Sequence, residues 1–260
     1  MMIKIINKDC IEVLKKVKPQ TVDVVVTSPP YNLGIKYNTY KDRKSYQEYL
    51  NWLSTIFSLI KDVLKEDGSF FLNVGQSNIE PWICYDVANV ARNLFVLQND
   101  ITWVKNISID DMSVGHFKPI NSKRFLNQTN EKIWHFTKNN DVCIDRLGIG
   151  VPYIDKSNIN RWARTNGKDK RCRGNTWYVP YETINSKEMK GLHPAIFPTQ
   201  LAEMCIKLHG IKEDMLVIDP FMGSGSVLVA CQQLGINGIG IDIDKQYCDF
   251  VKKRIWQISH

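Results

Sequence analysis

Two short segments of this chain carry residue types able to do chemistry. The first is Thr27-Ser28-Pro29-Pro30-Tyr31-Asn32, which ends the apolar run VDVVVT of residues 22–27. Two prolines fix the backbone and bring no N–H, so they leave carbonyls free to accept hydrogen bonds. Ser28 adds a short acceptor beside them, and Tyr31 adds a flat face. Together they suit a planar group bearing an NH₂: acceptors for its hydrogens and a ring to stack on. A buried parallel strand leading into such a segment would hold it where open α/β sheets bind ligands.

The second segment is Asp219-Pro220-Phe221-Met222-Gly223-Ser224-Gly225-Ser226. Here an apolar strand runs into a glycine-rich turn that opens a helix. Gly223 and Gly225 allow a tight turn and close ligand approach, and N–H groups at the helix start are free to meet a polar group. Asp242 ends the next strand, 23 residues after Asp219. An acidic residue at that distance suits ribose hydroxyls. The dinucleotide fingerprint needs a third glycine where this chain has Leu228, which argues against NAD. No Lys-Ser/Thr pair follows the glycines, which excludes a Walker A loop. A nucleoside without phosphates fits better, with its sugar on Asp242 and a cationic or amino group near Asp219. S-adenosylmethionine (SAM) has those parts.

The elements that must position these segments alternate along the chain. Strands are expected at 2–6, 22–27, 69–74, 100–104, 131–137, 215–219 and 238–242, with helical spacing between most of them. Leu50, Leu53, Ile56, Phe57, Ile60 and Leu64 mark one helix, with Gly68 as its stop. Pro81 opens a second, carrying Val87, Val90, Ala91 and Leu94. Leu201, Met204, Cys205 and Leu208 mark a third near 198–209. A fourth ends at Gly235, and a last one runs to the C-terminus. Seven strands with helical crossovers predict an α/β fold, a mostly parallel sheet with helices on both faces. Residues 138–190 lose periodicity and gather Asn, Gly, Lys and Arg, which predicts an inserted lobe or functional loop.

Charge points to a partner. The 260 residues carry a net charge of +7, and the thirteen from Arg161 to Arg173 hold six Lys/Arg against one Asp. Arg161, Arg164, Lys168, Lys170, Arg171 and Arg173 lie near Trp162 and Trp177, a mixture suited to phosphates and unstacked bases. A second basic loop, residues 34–46, carries Lys36, Lys41, Arg43 and Lys44. The seven cysteines include no C-x-x-C pair, so neither a disulfide framework nor a zinc knuckle is expected. Cys205 and His209 share a helix face, but two ligands make half a site, and no metal is expected. No run approaches the ~20 apolar residues of a membrane span. Lys4, Lys8 and Asp9 interrupt the N-terminus, so a cytoplasmic protein is expected.

TSPPYN followed much later by DPFMGSGS resembles the amino-methylating DNA methyltransferases of the β-type motif order, found in bacterial restriction–modification systems. The resemblance covers nearly the whole chain. NKDCIEVL (7–14) resembles the segment that contacts the cofactor's adenine, with Asp9 and Cys10 as candidates. GSFFLNVG (68–75) resembles the next sheet strand. RFLNQTNEKIWHFTK (124–138) and GNTWYVP (174–180) resemble the flanks of a target-recognition region. HPAIFPTQLAE (193–203) resembles the segment over the methionine end of SAM, through Phe197 and Pro198. The resemblance implies a Rossmann-like, SAM-dependent methyltransferase fold with a seven-stranded mixed sheet, one strand antiparallel. The motif order is circularly permuted, so that the strand ending at Asp242 lies beside strand 2–6. It implies a catalytic part at 1–137, an inserted target-recognition region at 138–190 and a SAM-binding part at 191–260. It also implies double-stranded DNA as partner. Homodimers are frequent in the family, as is a cognate restriction endonuclease or companion methyltransferase encoded nearby.

The implied reaction transfers the SAM methyl to an exocyclic amine. Such amines are poor nucleophiles because the lone pair is delocalised into the ring. Hydrogen bonds to Ser28 and the Pro29 carbonyl would favour a more pyramidal nitrogen, so the enzyme works mostly by orientation and electrostatics. The amine is inaccessible inside a duplex, so the base must be flipped out. In the family a leading Ser is associated with N4 of cytosine and a leading Asp with N6 of adenine. Ser28 therefore favours cytosine, with adenine as the alternative. Carbon-5 methylation needs a Pro-Cys nucleophile, and no cysteine here follows a proline. Methylation of RNA or protein, and a DNA-binding module with a dead cofactor fold, are weaker readings. The reversed motif order speaks against the former, and intact Asp219, Gly223, Gly225, Ser28 and Tyr31 against the latter.

Overall fold

The computed structural model describes residues 1–32, 44–109, 112–114, 122–161, 165–180 and 197–259. The first part of the chain builds β1 (Ile3–Asn7), α1 (Cys10–Leu14), β2 (Val22–Thr27), α2 (Tyr46–Val63), β3 (Leu64–Val74), α3 (Ile83–Arg92) and β4 (Val96–Val104). A small hairpin, β5 (Ile107–Ile109) with β6 (Met112–Val114), stands apart from the main sheet. Then follow β7 (Asn130–Thr137), α4 (Ser157–Arg161), β8 (Thr176–Tyr178), α5 (Thr199–His209), β9 (Leu216–Asp219), α6 (Ser226–Leu234), β10 (Asn237–Asp242) and α7 (Lys245–Ser259).

Local chemistry sets several of these boundaries. The Ser45 hydroxyl accepts from the Glu48 N–H, and the Glu48 carboxylate accepts from the Ser45 N–H at 3.0 Å, a reciprocal cap that starts α2. Helix α2 does not stop at Gly68, as its sequence predicts, but at Leu64, which leads directly into β3. Gly68 instead lies within β3, where the pairing with β2 shifts register between Val22 and Val24. A Cβ there would fall 2.7 Å from the Leu64 side chain and 3.0 Å from the Asp23 carbonyl, so this glycine serves packing. Gly235, at φ 71°, does end α6.

The main sheet runs β1-β10-β9-β2-β3-β7-β4-β8. All its neighbours pair in parallel except β7, which is antiparallel to both β3 and β4. The permuted order is present: β10 pairs with β1 along Ile3–Asn7, joining the two ends of the chain. The strand count departs from expectation. The sheet has eight strands rather than seven, because Thr176–Tyr178 adds β8 to the edge beside β4. Three residues are too short to declare a period, yet they are firmly held. Trp177 is buried and donates to the Gly174 carbonyl, while the Trp103 indole donates to the Val179 carbonyl at 2.8 Å. The end of segment 138–190 thus belongs to the sheet.

Every residue of β2 is buried, which is why four of its six residues are valine. Val25 packs into the core beneath α1, α2 and α3, while Val24 and Val26 pack beneath α5 and α6. These two cores make a three-layer sandwich whose middle is the strand that carries Ser28. No described helix is long and apolar enough to cross a membrane.

The sheet also buries a polar chain away from Ser28. His209 and His135 flank Ser69 at 2.9 and 3.0 Å, and Asn99 meets His135 Nδ1 at 2.9 Å. With the Asn99 amide nitrogen donating, His135 Nε2 donates to Ser69 and the Ser69 hydroxyl donates to His209 Nδ1. Cys205 and His209, the pair with metal-like spacing, are both buried, and no metal-binding cluster exists among the described residues. Burial pushes His135 down to about 3 and His209 down to about 4. A chain unfolded at pH 5 protonates both imidazoles, whereas the folded chain holds them neutral. Stability is therefore complete above the ordinary imidazole value and drains as pH falls towards 4. The loss amounts to a few kcal/mol, because each tenfold difference in proton affinity is worth about 1.4 kcal/mol. Urea unfolding between pH 7 and 4 should show this slope, shallower in His209→Gln; equal slopes would contradict the assignment.

Candidate functional site

The C-terminal ends of β1, β10, β9, β2 and β3 are neighbours, and the candidate residues follow these ends. Asp9 comes after β1, Asp242 closes β10, Asp219 closes β9, Ser28 follows β2 and Asn73 sits at the end of β3. The Thr27 hydroxyl donates to Asp219 Oδ1 at 2.7 Å, a buried bond that ties the Ser-Pro-Pro-Tyr segment to the glycine turn. The two motifs therefore share one edge of one sheet.

At the proline segment, Ser28 Oγ and Tyr31 Oη lie 2.8 Å apart. Tyr31 Oη also reaches Asn73 Oδ1 at 3.1 Å and Glu131 Oε2 at 3.4 Å. Asn73 is oriented by its own amide, which donates to the Lys132 carbonyl at 3.1 Å. Glu131 is paired with Lys105 at 2.8 Å. The Tyr31 ring fits here because residue 75 is glycine: a Cβ would lie 2.8 Å from Tyr31 Cε2. Burial raises the Tyr31 phenol well above its ordinary value, so it stays protonated. The ring face is thus fixed through its hydroxyl. Next to it, the Asn32 side chain clasps residue 44, donating to the Lys44 carbonyl and accepting from its N–H at 2.9 and 2.8 Å.

At the glycine turn, ahead of the start of α6 at Ser226, the amides of both glycines are used within the turn: Gly223 N–H donates to Asp242 Oδ2 and Gly225 N–H to the Met222 carbonyl, both at 2.8 Å. The turn acts through shape. Gly225 has φ 79°, and a Cβ would lie 2.5 Å from Val251 of α7. Gly223, at φ 48°, is also left-handed. Pro220 and Phe221 continue from Asp219, whose Oδ1 takes the Phe221 N–H at 3.0 Å; the Phe221 ring lies 5.5 Å from Trp52. Ser224 and Ser226 are buried with their hydroxyls 3.4 Å apart. Arg254 of α7 donates to the Ser224 carbonyl and to Thr199, bracing the turn against α5.

The carboxylates here fit a cationic nucleoside. Burial pushes Asp219 up to about 7 and also raises Asp242, and neither is in an ion pair among the described residues. Asp242 Oδ1 takes the Asp244 N–H at 2.8 Å, so one lone pair on each of its oxygens remains for hydroxyl donors. Asp9 caps α1 by accepting from the Ile11 N–H at 2.7 Å, and Cys10 is buried behind it with its thiol pushed up to about 12. Phe197 meets the Trp103 ring edge-on at 6.3 Å, and Pro198 is buried at the start of α5.

The basic residues divide. Arg161, Lys168 and Lys170 are exposed. Arg171 makes a backbone bridge to Val151, and Arg173 Nε donates to the Ile149 carbonyl at 3.1 Å. The Lys44 ammonium lies 5.9 Å from the Trp52 ring centre. Lys36, Lys41, Arg43, Trp162 and Arg164 lie outside the described residues, as do residues 193–196. Sequence reading included Thr27 and Asn32 in the motif without giving them roles, and it missed Asn73, Lys105 and Glu131. Thr27 carried a local signal, a hydroxyl closing a valine-rich strand; the others act through contacts made by the fold.

The Thr27 bond has a measurable consequence. It lowers the Asp219 carboxyl against the stronger lift from burial. Thr27→Val should therefore move the Asp219 midpoint above about 7, read by carboxyl ¹³C NMR; an unmoved midpoint would mean the bond is not made.

Comparison with known proteins agrees with this arrangement. A family model described as DNA methylase, for N6 and N4 methyltransferases, matches residues 22–253. The type II methyltransferase M.HpaI of Haemophilus parainfluenzae is 28% identical over 97% of this chain and 74% of its own length. M1.MboII of Moraxella bovis is 28% identical over 94% of this chain and 93% of its own. Among solved structures, the cytosine-N4-specific PvuII DNA methyltransferase superposes with a TM-score of 0.74 at 18% identity, covering 99% of this chain and 91% of that one. The protein TTHA0409 of Thermus thermophilus, solved with S-adenosyl-L-methionine, gives 0.64 at 20% identity, covering 99% and 95%. The match spans β2, the glycine turn and everything between: this chain belongs to the N6/N4 DNA methylase family.

Proposed function

We propose that this chain transfers a methyl group from SAM to the exocyclic N4 amine of a cytosine flipped out of duplex DNA. The Thr27–Asp219 bond carries this reading. It sets an amine-accepting ledge and a carboxylate-lined glycine turn at one strand edge, within reach of a common ligand pair. When bound, SAM supplies an electrophilic methyl group on a sulfonium.

The chain's residues do the rest. Asp242 accepts from ribose hydroxyls, and Asp9 and Cys10 border the adenine. Asp219, Phe197 and Pro198 border the amino-acid end, while Pro220, Phe221, Gly223, Ser224, Gly225 and Ser226 shape the floor. Tyr31 offers its ring to the extruded base, offsetting part of the stacking lost on flipping. Ser28 Oγ and the Pro29 carbonyl accept from the amine and return electron density to its nitrogen, with Pro30 stiffening the ledge. Preorganised acceptors of this kind lower the barrier because they need no reorientation during reaction.

Segment 138–190 is read as the target-recognition region. Its exposed Arg161, Lys168 and Lys170, with Lys44 nearer the ledge, suit a phosphate backbone. Cytosine is preferred over adenine because the ledge begins with Ser28, and because the PvuII enzyme, which resembles this fold, is cytosine-N4-specific. A second copy of the chain and a cognate endonuclease are further partners on the family resemblance.

Incubation with duplex DNA and labelled SAM, then digestion to nucleosides, should yield N4-methylcytosine. N6-methyladenine would move the assignment to the other base, and label in RNA or protein alone would reject it. Asp219 gives a separate check. With its midpoint at about 7, it is mostly ionised at pH 8 and mostly protonated at pH 6. A cationic ligand favours the ionised form, so SAM affinity by calorimetry should fall about tenfold from pH 8 to 6. Asp219→Asn should flatten that profile; a flat wild-type profile would remove Asp219 from the cofactor.

A further inference from the structure

The Lys105–Glu131 pair has no part in the reaction just described, yet it ends a hydrogen-bonded chain that begins at Ser28. Following the chain outward, Ser28 Oγ meets Tyr31 Oη at 2.8 Å, Tyr31 Oη meets Asn73 Oδ1 at 3.1 Å and Glu131 Oε2 at 3.4 Å, and Lys105 Nζ meets Glu131 Oε1 at 2.8 Å. Glu131 and Lys105 are largely buried, with side chains 16% and 20% exposed, so this is not a solvated surface pair.

We infer that Lys105, Glu131 and Asn73 fix the direction of this chain, so that Ser28 meets the substrate amine only as an acceptor. Each link follows from what an atom can do. The Asn73 amide nitrogen is committed to the Lys132 carbonyl, which turns its oxygen towards Tyr31. The Glu131 carboxylate, bound to the Lys105 ammonium, can only accept. Two acceptors therefore face one phenol, and its single proton points at them. Tyr31 Oη then has only lone pairs for Ser28, so the Ser28 hydroxyl proton is spent on Tyr31. Both Ser28 lone pairs remain for an incoming NH₂. A serine free to rotate could instead aim its proton at the amine nitrogen and withdraw the electron pair the reaction needs. Burial keeps the Tyr31 phenol protonated, so the chain keeps its sense at neutral pH. Glu131 and Lys105 are positioning residues that act through Tyr31.

The inference rests on the proposed role of Ser28, and the test separates the two. In Glu131→Gln, Lys105 takes the amide oxygen and the amide NH₂ turns to Tyr31, where it competes with Ser28. Single-turnover DNA methylation should slow about tenfold or more, the scale of one hydrogen bond to a charged group. Tyr31→Phe keeps the ring face but cuts the chain and should slow transfer similarly, while DNA KM and SAM Kd stay within about twofold for both. Combining them should cost no more than the larger single loss, because Glu131 has no route to Ser28 without the phenol. Lys105→Gln provides a second entry should Glu131→Gln fold poorly: slow alone, silent in the Tyr31→Phe background. Wild-type rates in both Glu131→Gln and Lys105→Gln, or losses that multiply in the double variants, would overturn the inference. Ser28→Ala at full rate would overturn the reading beneath it; a slow Ser28→Ala beside fast Glu131→Gln and Lys105→Gln would overturn the inference alone.

Discussion

One buried bond organises this molecule: the Thr27 hydroxyl on the Asp219 carboxylate at 2.7 Å. Strands β2 and β9 are neighbours through only two paired positions, Val24 with Val217 and Val25 with Ile218. Beyond those pairs the two strands part, Val26 and Thr27 staying paired to β3 and Asp219 to β10. A side-chain bond just past the last shared pair holds the diverging strand ends together where their backbones no longer do. Its buried carboxylate carries a desolvation cost, which the Phe221 N–H offsets in part.

Glycines then permit the approach of groups that a side chain would separate. Gly75 admits the Tyr31 ring, and Gly225 admits Val251 of α7. Neither contact is visible from its own neighbourhood in the chain. The candidate site is thus made of close packing as much as of polar residues, and α7, last in sequence, seats the turn from which α6 begins.

Much of this was legible in the sequence, for physical reasons. Strand β2 announced itself because a strand buried on both faces is mostly apolar, here with four valines in six residues, and the permuted sheet followed from the motif order through the family resemblance. Asp242 and the glycine turn were readable because chain geometry couples them across one βαβ unit. Gly68 misled, since a glycine after an apolar period signals a helix stop, while here β3 needs room beside Leu64. β8 was hidden by its brevity, and its stability comes from Trp103 and Trp177, which lie 74 residues apart in the chain. Glu131, Lys105 and Asn73 were silent because their meaning lies in meeting Tyr31 across three strands.

The edge strand β8 bears on how such an enzyme could change its target. The stretch between β7 and β8 is pinned at both ends to the same sheet, on strands separated only by β4. Its anchors face different parts of β4, Thr137 opposite Val96 and Thr176 opposite Thr102, so they stand about 20 Å apart along the strand and about 10 Å across it. A replacement stretch of different length or composition must bridge that gap and also restore the packing of Ile149 against α5 and the Asp145 N–H bond to the Leu208 carbonyl. The residues at Ser28 and Asp219 belong to strands on the far side of β7. On the proposed assignment of 138–190 to target recognition and of Ser28 and Asp219 to methyl transfer, the two tasks can diverge separately, like an interchangeable bit in a fixed chuck.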